Sequence, residues 1–143
     1  MDTKNFTIKT QASVQKAQEI AMSNQHQAIE TGHLLKAILM VDEDVISYGL
    51  KKVNANVKRI GQVLDGILEG YPKVSGSGSQ YLSNSGQQSL IKANTYLKEF
   101  NDEFVTTEHL FLAILNGNDQ VANLLKDAGV KSNEIIKAFK ELR

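Results

Sequence analysis

Ile29-Glu30-Thr31-Gly32-His33-Leu34-Leu35-Lys36-Ala37-Ile38-Leu39 and Val105-Thr106-Thr107-Glu108-His109-Leu110-Phe111-Leu112-Ala113-Ile114-Leu115 are one pattern written twice, 76 residues apart. Each runs from a β-branched residue through a short polar step to a histidine, then into an almost wholly apolar stretch. The same offset lays Phe6 on Leu82 and Val14-Gln15-Lys16-Ala17 on Leu90-Ile91-Lys92-Ala93. After one deleted residue Leu50-Lys51 meets Leu125-Lys126, and Ile60 meets Ile135. Self-similarity at a fixed offset marks a structural unit used twice.

Between the copies lies Gly70-Tyr71-Pro72-Lys73-Val74-Ser75-Gly76-Ser77-Gly78-Ser79-Gln80, whose Gly, Ser and Pro content reads as a connecting loop. One domain over residues 1–143 is expected, with repeat one at about 6–69, a linker at 70–81 and repeat two at about 82–143. The spacing of apolar residues predicts four helices per copy. In the first copy the faces are Val14, Ala17 and Ala21; Leu34–Met40; Val45, Ile46, Leu50 and Val53; and Val57, Ile60, Leu64 and Leu68. In the second they are Leu90, Ala93, Leu97 and Phe100; Leu110–Leu115; Val121, Leu124, Leu125 and Ala128; and Ile135, Phe139 and Leu142. The Leu34–Met40 segment is apolar on nearly every side, as a short, central, buried helix should be. Thr106 or Thr107 is read as an N-cap, and Gly129 as a C-cap. The expected fold is all-α: eight helices as two pseudo-symmetric four-helix repeats. No segment reads as a strand.

Composition narrows the function classes. At 143 residues the chain is long enough for one well-filled core. Its 16 basic and 16 acidic residues leave no cationic surplus with which to displace counterions from nucleic acid. The absence of cysteine removes disulfides, thiolate metal sites and a cysteine nucleophile. Met1-Asp2-Thr3-Lys4-Asn5 lacks the apolar core of a signal peptide. No apolar run approaches the ~20 residues of a membrane span. A cytoplasmic protein that binds neither nucleic acid nor membrane is expected.

Candidate chemistry is sparse. His33 and His109 occupy equivalent places at the start of the buried helix in each copy, which folding explains more readily than ligation. An imidazole there can donate to a backbone carbonyl and seal the helix start. Together with His26 they form no HxxxH or HExxH pair, so no metal is expected. There is no GxSxG elbow, and Ser75 and Ser77 sit in a glycine-rich loop too pliant for a nucleophile. Gly76-Ser77-Gly78 lacks the third glycine of a dinucleotide fingerprint, and GxxxxGK[ST] is absent. The chain alone is therefore expected not to be an enzyme, and no catalytic, cofactor or metal residue is assigned.

Asp102, Glu103 and Glu108 cluster around the turn before the second buried helix. Solvation with a favourable helix-dipole interaction is one reading, and a contact to bound peptide is the other. Tyr96 falls at the edge of its helix stripe, and Ile91 lies well off it. Phe6 and Tyr81 precede the first helix of each copy, either as staples onto the bundle or as the lining of a groove for exposed apolar segments of a partner.

These residues resemble the repeat domain at the amino terminus of Clp chaperone ATPases. The resemblance rests on Phe6-Thr7, on Glu30-Thr31-Gly32-His33-Leu34-Leu35 and Thr107-Glu108-His109-Leu110, and on the spacing between them. Tyr71-Pro72-Lys73-Val74-Ser75-Gly76 is similar to the inter-repeat loop of the ClpB type. The resemblance implies a domain tethered ahead of two AAA+ modules in a hexamer that threads aggregated polypeptide together with a DnaK-type chaperone. ATP and Mg would belong to those absent modules, with no cofactor in this domain. It also implies polypeptide engagement by Thr7, Asp102 and Glu108, with groove positions near Leu90, Tyr96 and His109. Histidine at 109, where some members carry leucine, predicts a more polar groove, and Tyr96 replaces an aliphatic residue. Capture of unfolded or aggregated polypeptide is the function expected. The alternatives are adaptor docking of the ClpA or ClpC type and, from another class, a free-standing enzyme using His33 or His109.

Overall fold

Thr7 and Ser83 open the two halves in the same manner. Each is extended and turns its hydroxyl onto an amide three residues on, Thr10 N at 3.1 Å and Gly86 N at 3.0 Å. This satisfies one of the amides that a helix start leaves bare. The structure, a computed structural model, describes residues 3–76 and 78–143. Met1, Asp2 and Ser77, and with them part of the readings of the amino-terminal stretch and of the glycine-rich loop, lie outside the described residues.

The first half comprises α1 (Ile8–Ser23), β1 (Ala28–Ile29), α2 (Thr31–Val41), α3 (Glu43–Lys52) and α4 (Val57–Glu69). The second comprises β2 (Tyr81–Leu82), α5 (Asn84–Ala93), a 3-10 turn (Asn94–Tyr96), α6 (Leu97–Phe100), α7 (Thr107–Leu115), α8 (Gln120–Asp127) and α9 (Ser132–Glu141). With Asn84–Phe100 taken as one interrupted element, the described residues form an all-α fold of eight helical elements, as the apolar spacing predicts. Among the described residues no helix is long and apolar enough to cross a membrane.

The interruption departs from the expected continuous helix through Leu90, Ala93, Leu97 and Phe100. Asn94 Nδ2 donates back to the carbonyls of Leu90 (3.4 Å) and Ile91 (3.3 Å), and Thr95 Oγ1 donates to Lys92 O at 2.7 Å. Such short polar side chains compete with the helical ladder for its own carbonyls. The strandless expectation also needs correction. Ala28–Ile29 pairs with Tyr81–Leu82 in parallel register, and Phe6 forms a parallel bridge with Val105. The offset of 76 carries Leu82 onto Phe6 and Val105 onto Ile29, so each half's opening segment pairs with the segment that leads into the other half's central helix.

The helix pairs are exchanged in the same way. Helix α3 packs on α9, and α4 on α8, while α2 and α7 lie at the centre. Every residue of α7 is buried, as are Leu34, Leu35, Ala37 and Ile38 of α2. Phe111 and Phe139 meet edge to face with centroids 5.9 Å apart. Gly49 of α3 lies so close to Phe139 that a Cβ there would overlap the ring. Gly129 follows α8 at φ +87°, the left-handed conformation that glycine takes at little cost.

Both central helices begin on an imidazole, but not as expected. His33 Nδ1 accepts from Glu30 N at 2.8 Å, and His109 Nδ1 accepts from Thr106 N at 2.9 Å. The rings thus take the place of the Glu or Gln that usually accepts from the cap amide, rather than donating to a carbonyl. Val74 and Tyr81 lie back along residues 25–27, with Val74 N donating to Gln25 O at 2.9 Å and Tyr81 N to Gln27 O at 3.1 Å.

Candidate functional site

Phe6 is drawn inward by its bridge to Val105 and lies only 3% exposed, beside Leu90 at 4%. These two side chains form the floor of a cleft of ≈ 670 Å³ between residues 4–6 and α5. Leu82 is partly buried at its wall, and Ile91, one residue beyond Leu90 and so turned to the rim, is 57% exposed. Lys4, Asn5, Gln87 and Asn94 supply polar edges, with Asn5 Nδ2 donating to Asn94 Oδ1 at 2.6 Å. An apolar floor with a half-exposed aliphatic side chain and polar rims suits extended polypeptide of varied sequence. Phe6 is both staple and lining, whereas Tyr81 stands 56% exposed.

A second cluster gathers at the turn before α7. Asp102 Oδ1 and Oδ2 accept from Arg143 Nη1 at 2.7 and 2.6 Å, and Glu108 Oε1 accepts from Arg143 Nη2 at 3.2 Å. The guanidinium carbon lies 4.9 Å from the centroid of the Phe100 ring. Burial pushes the Glu108 carboxyl up, and the bond from Arg143 opposes that rise. His109 packs edge-on against Phe100 at 5.1 Å and is fully buried. Since its Nδ1 accepts from Thr106, its proton sits on Nε2. Asp102 Oδ2 is 3.1 Å from that nitrogen, yet the N–H direction falls short of a hydrogen bond, so the atom lacks a true partner. Burial holds the His109 pKa down at about 4, with Asp102 opposing.

The structure therefore divides the six residues read as polypeptide-binding. Leu90 lines the cleft, and Thr7 follows Phe6 as the cap of α1, sharing its hydroxyl with Thr10 at 2.7 Å. Asp102, Glu108 and His109 meet around Arg143. Tyr96 stands apart in the 3-10 turn, its hydroxyl accepting from Asn116 Nδ2 at 3.0 Å at the end of α7. Sequence reasoning missed Leu82 as lining, although its alignment with Phe6 could have signalled it. Arg143 was missed altogether, because nothing local marks an arginine beyond the last helix as the partner of a turn some forty residues away.

His26 and His33 touch in the interior, Nδ1 to Nε2 at 2.8 Å, with Tyr71 packed on both rings. His33 Nδ1 is already an acceptor, so its Nε2 donates to His26 Nδ1, and the remaining proton of His26 sits on a buried Nε2 with no partner among the described residues. Burial first, and His26 second, hold His33 at about 4. Among the described residues no group of three or more His, Asp or Glu is placed to hold a metal.

The family model described as Clp repeat (R) N-terminal domain matches residues 5–128. Chaperone protein ClpB of Bacteroides thetaiotaomicron is 42% identical over the whole chain, and that of Porphyromonas gingivalis 37%. The chain spans 16% of the length of each. The Hsp104 N-terminal domain from Candida albicans superposes with a TM-score of 0.82 at 21% identity, over 98% of this chain and 92% of that one. A chain from the structure described as a peptide from the EAEC T6SS Sci1 SciI protein superposes at 0.80 and 17% identity, over 99% and 92%.

Proposed function

The chain belongs to the family of Clp repeat N-terminal domains, and we propose that it is the substrate-binding domain of a ClpB-type protein disaggregase. In this reading it captures exposed apolar segments of misfolded or aggregated polypeptide and presents them to AAA+ modules that lie outside this sequence. Those modules use ATP and Mg, assemble as a hexamer and work with a DnaK-type chaperone, while this domain holds the client and carries out no chemistry. The observation that carries the reading is the cleft with Phe6 and Leu90 as its floor and Ile91 at its rim. The likeness to ClpB chaperones supports it. Ordering a flexible client costs much of what the contacts gain, so each domain binds at micromolar affinity or weaker. Copies arrayed around a ring raise the effective affinity without a tighter single site.

An NMR titration with unfolded casein tests this. Shifts confined to Phe6, Leu82, Leu90, Ile91 and their neighbours are expected. Saturable binding that leaves these signals unmoved would rule the cleft out.

A further inference from the structure

A second hollow, of ≈ 580 Å³, lies on the other flank of α5, against the turn that joins α7 to α8. Ile91, at the rim of the Phe6–Leu90 cleft, also lines this one. The two therefore meet over an exposed aliphatic side chain.

Their chemistry differs. Asn84 and Gln88 stand exposed on one wall of the second hollow and Asn118 on the other, and their side chains engage no partner among the described residues. The two charged residues of its lining are already committed. Lys92 Nζ donates to Asn116 O at 2.6 Å, and the Asp119 carboxylate accepts from Thr31 Oγ1 and Ala122 N. What remains for a ligand is a set of neutral amides, each able to donate and to accept. Such groups match a peptide bond and offer little to an ion.

Spacing points the same way. Asn84 and Gln88 are four residues apart on one helix face, about 6 Å along its axis. An extended chain repeats on one side every two residues, about 6.6 Å. The two amides can thus meet successive peptide groups on one side of a single strand. From Leu90 to Asn84 is about 9 Å along α5, roughly three residues of extended chain. Folding does not ask for these amides. At the offset of 76 the first half carries Ile8 and Ala12 in their places, and α1 forms there all the same.

We propose that this second hollow reads the main chain of a client whose apolar side chain sits in the cleft, through hydrogen bonds from Asn84, Gln88 and Asn118. The inference rests on the polypeptide-binding reading above and adds the source of its tolerance for sequence: the peptide group, common to every client, carries part of the affinity.

The test uses the 143-residue chain, its Gln88→Ala/Asn118→Ala double variant and a neutral nonapeptide of leucine, alanine and serine. The peptide is made with free main-chain amides and with its central amides N-methylated. Fluorescence anisotropy should show the parent binding the free form about three- to tenfold more tightly than the double variant does. N-methylation should weaken binding to the parent several-fold and leave the double variant nearly unmoved. In NMR the peptide should shift Phe6 and Leu90 and, beyond Ile91, Gln88 and Asn118. Equal affinities of parent and double variant overturn the proposal, as does an equal loss on N-methylation in both. Shifts at Gln88 and Asn118 that grow with protein concentration in the absence of peptide assign the surface to a second copy of the chain and also overturn it. If the peptide moves Phe6 and Leu90 while the double variant binds as the parent does, this inference is lost and the cleft survives. If Gln88 and Asn118 move while Phe6 and Leu90 do not, the cleft reading fails instead.

Discussion

Thr107 Oγ1 donates to Asp42 Oδ2 at 2.7 Å, joining the first residue of α7 to the residue that precedes α3. The counterpart of Thr107 at the offset of 76 is Thr31, and Thr31 Oγ1 donates to Asp119 Oδ2, also at 2.7 Å. Asp119 precedes α8 as Asp42 precedes α3. Each half therefore fastens the start of its central helix to the third helix of the other half.

Removing one hydroxyl from this pair leaves a carboxylate short of a donor. Thr107→Val should destabilise the fold by about 1–3 kcal/mol, because Asp42 is 7% exposed and cannot turn to water. Each carboxylate keeps a second donor, Lys9 Nζ on Asp42 and Ala122 N on Asp119, so burial decides the order, and Thr31→Val should cost less because Asp119 is only half-buried. Urea denaturation of both variants reads the order, and the reverse order would refute the argument from burial.

Two glycines should respond in opposite senses. Gly49→Ala forces the Phe139 ring to move and should cost roughly 1–3 kcal/mol. Gly66 sits within α4, and the space an alanine methyl would take there is open to at least 4 Å. Gly66→Ala should therefore stabilise by about 0.5–1 kcal/mol through the lower helix propensity of glycine. Thermal melts of the two variants provide the comparison.

Acid should weaken the fold through its buried imidazoles. His33 and His109 titrate at about 4 when folded, below the ordinary value of 6.5. The unfolded chain therefore binds more protons in that window, and stability present above pH 6.5 is lost progressively as pH falls toward 4. Each contributes a loss of roughly 2 kcal/mol by pH 5. Glu108, raised by burial, pushes the other way as it gains its proton. Single His33→Gln and His109→Gln variants keep an acceptor for the cap amide and should each flatten the slope of stability between pH 7 and pH 5. An unchanged slope in both would contradict the assignment.

The cleft can be altered without disturbing the core, since Ile91 is 57% exposed. Ile91→Glu should weaken binding of unfolded casein several-fold while leaving the melting temperature within about 1–2 °C. Fluorescence anisotropy with labelled casein measures the first quantity, and differential scanning calorimetry the second.

The helices were legible because burial writes itself in periodic apolar residues, and the double pattern around His33 and His109 located both central helices. What escaped had no period. The break at Asn94–Tyr96 depends on Asn and Thr side chains turning back onto carbonyls, where the apolar stripe alone reads through unbroken. Pairings of two residues, such as Ala28–Ile29 with Tyr81–Leu82, are too short to alternate visibly. At the candidate site, Leu90 was reachable from its helix face. The meeting of Asp102 and Glu108 with Arg143 depends on where α9 ends in space, which no local pattern encodes.

The bridge from Phe6 to Val105 and the ladder from Ile29 to Leu82 are reciprocal. Two identical subunits related by a closed rotation would trade contacts in just this way, residue for counterpart and counterpart for residue. The chain is built like a homodimer carried on one polypeptide. A nick between Ser75 and Ser79 should accordingly leave two fragments that co-purify as a complementary pair, neither of which has a complete interior alone.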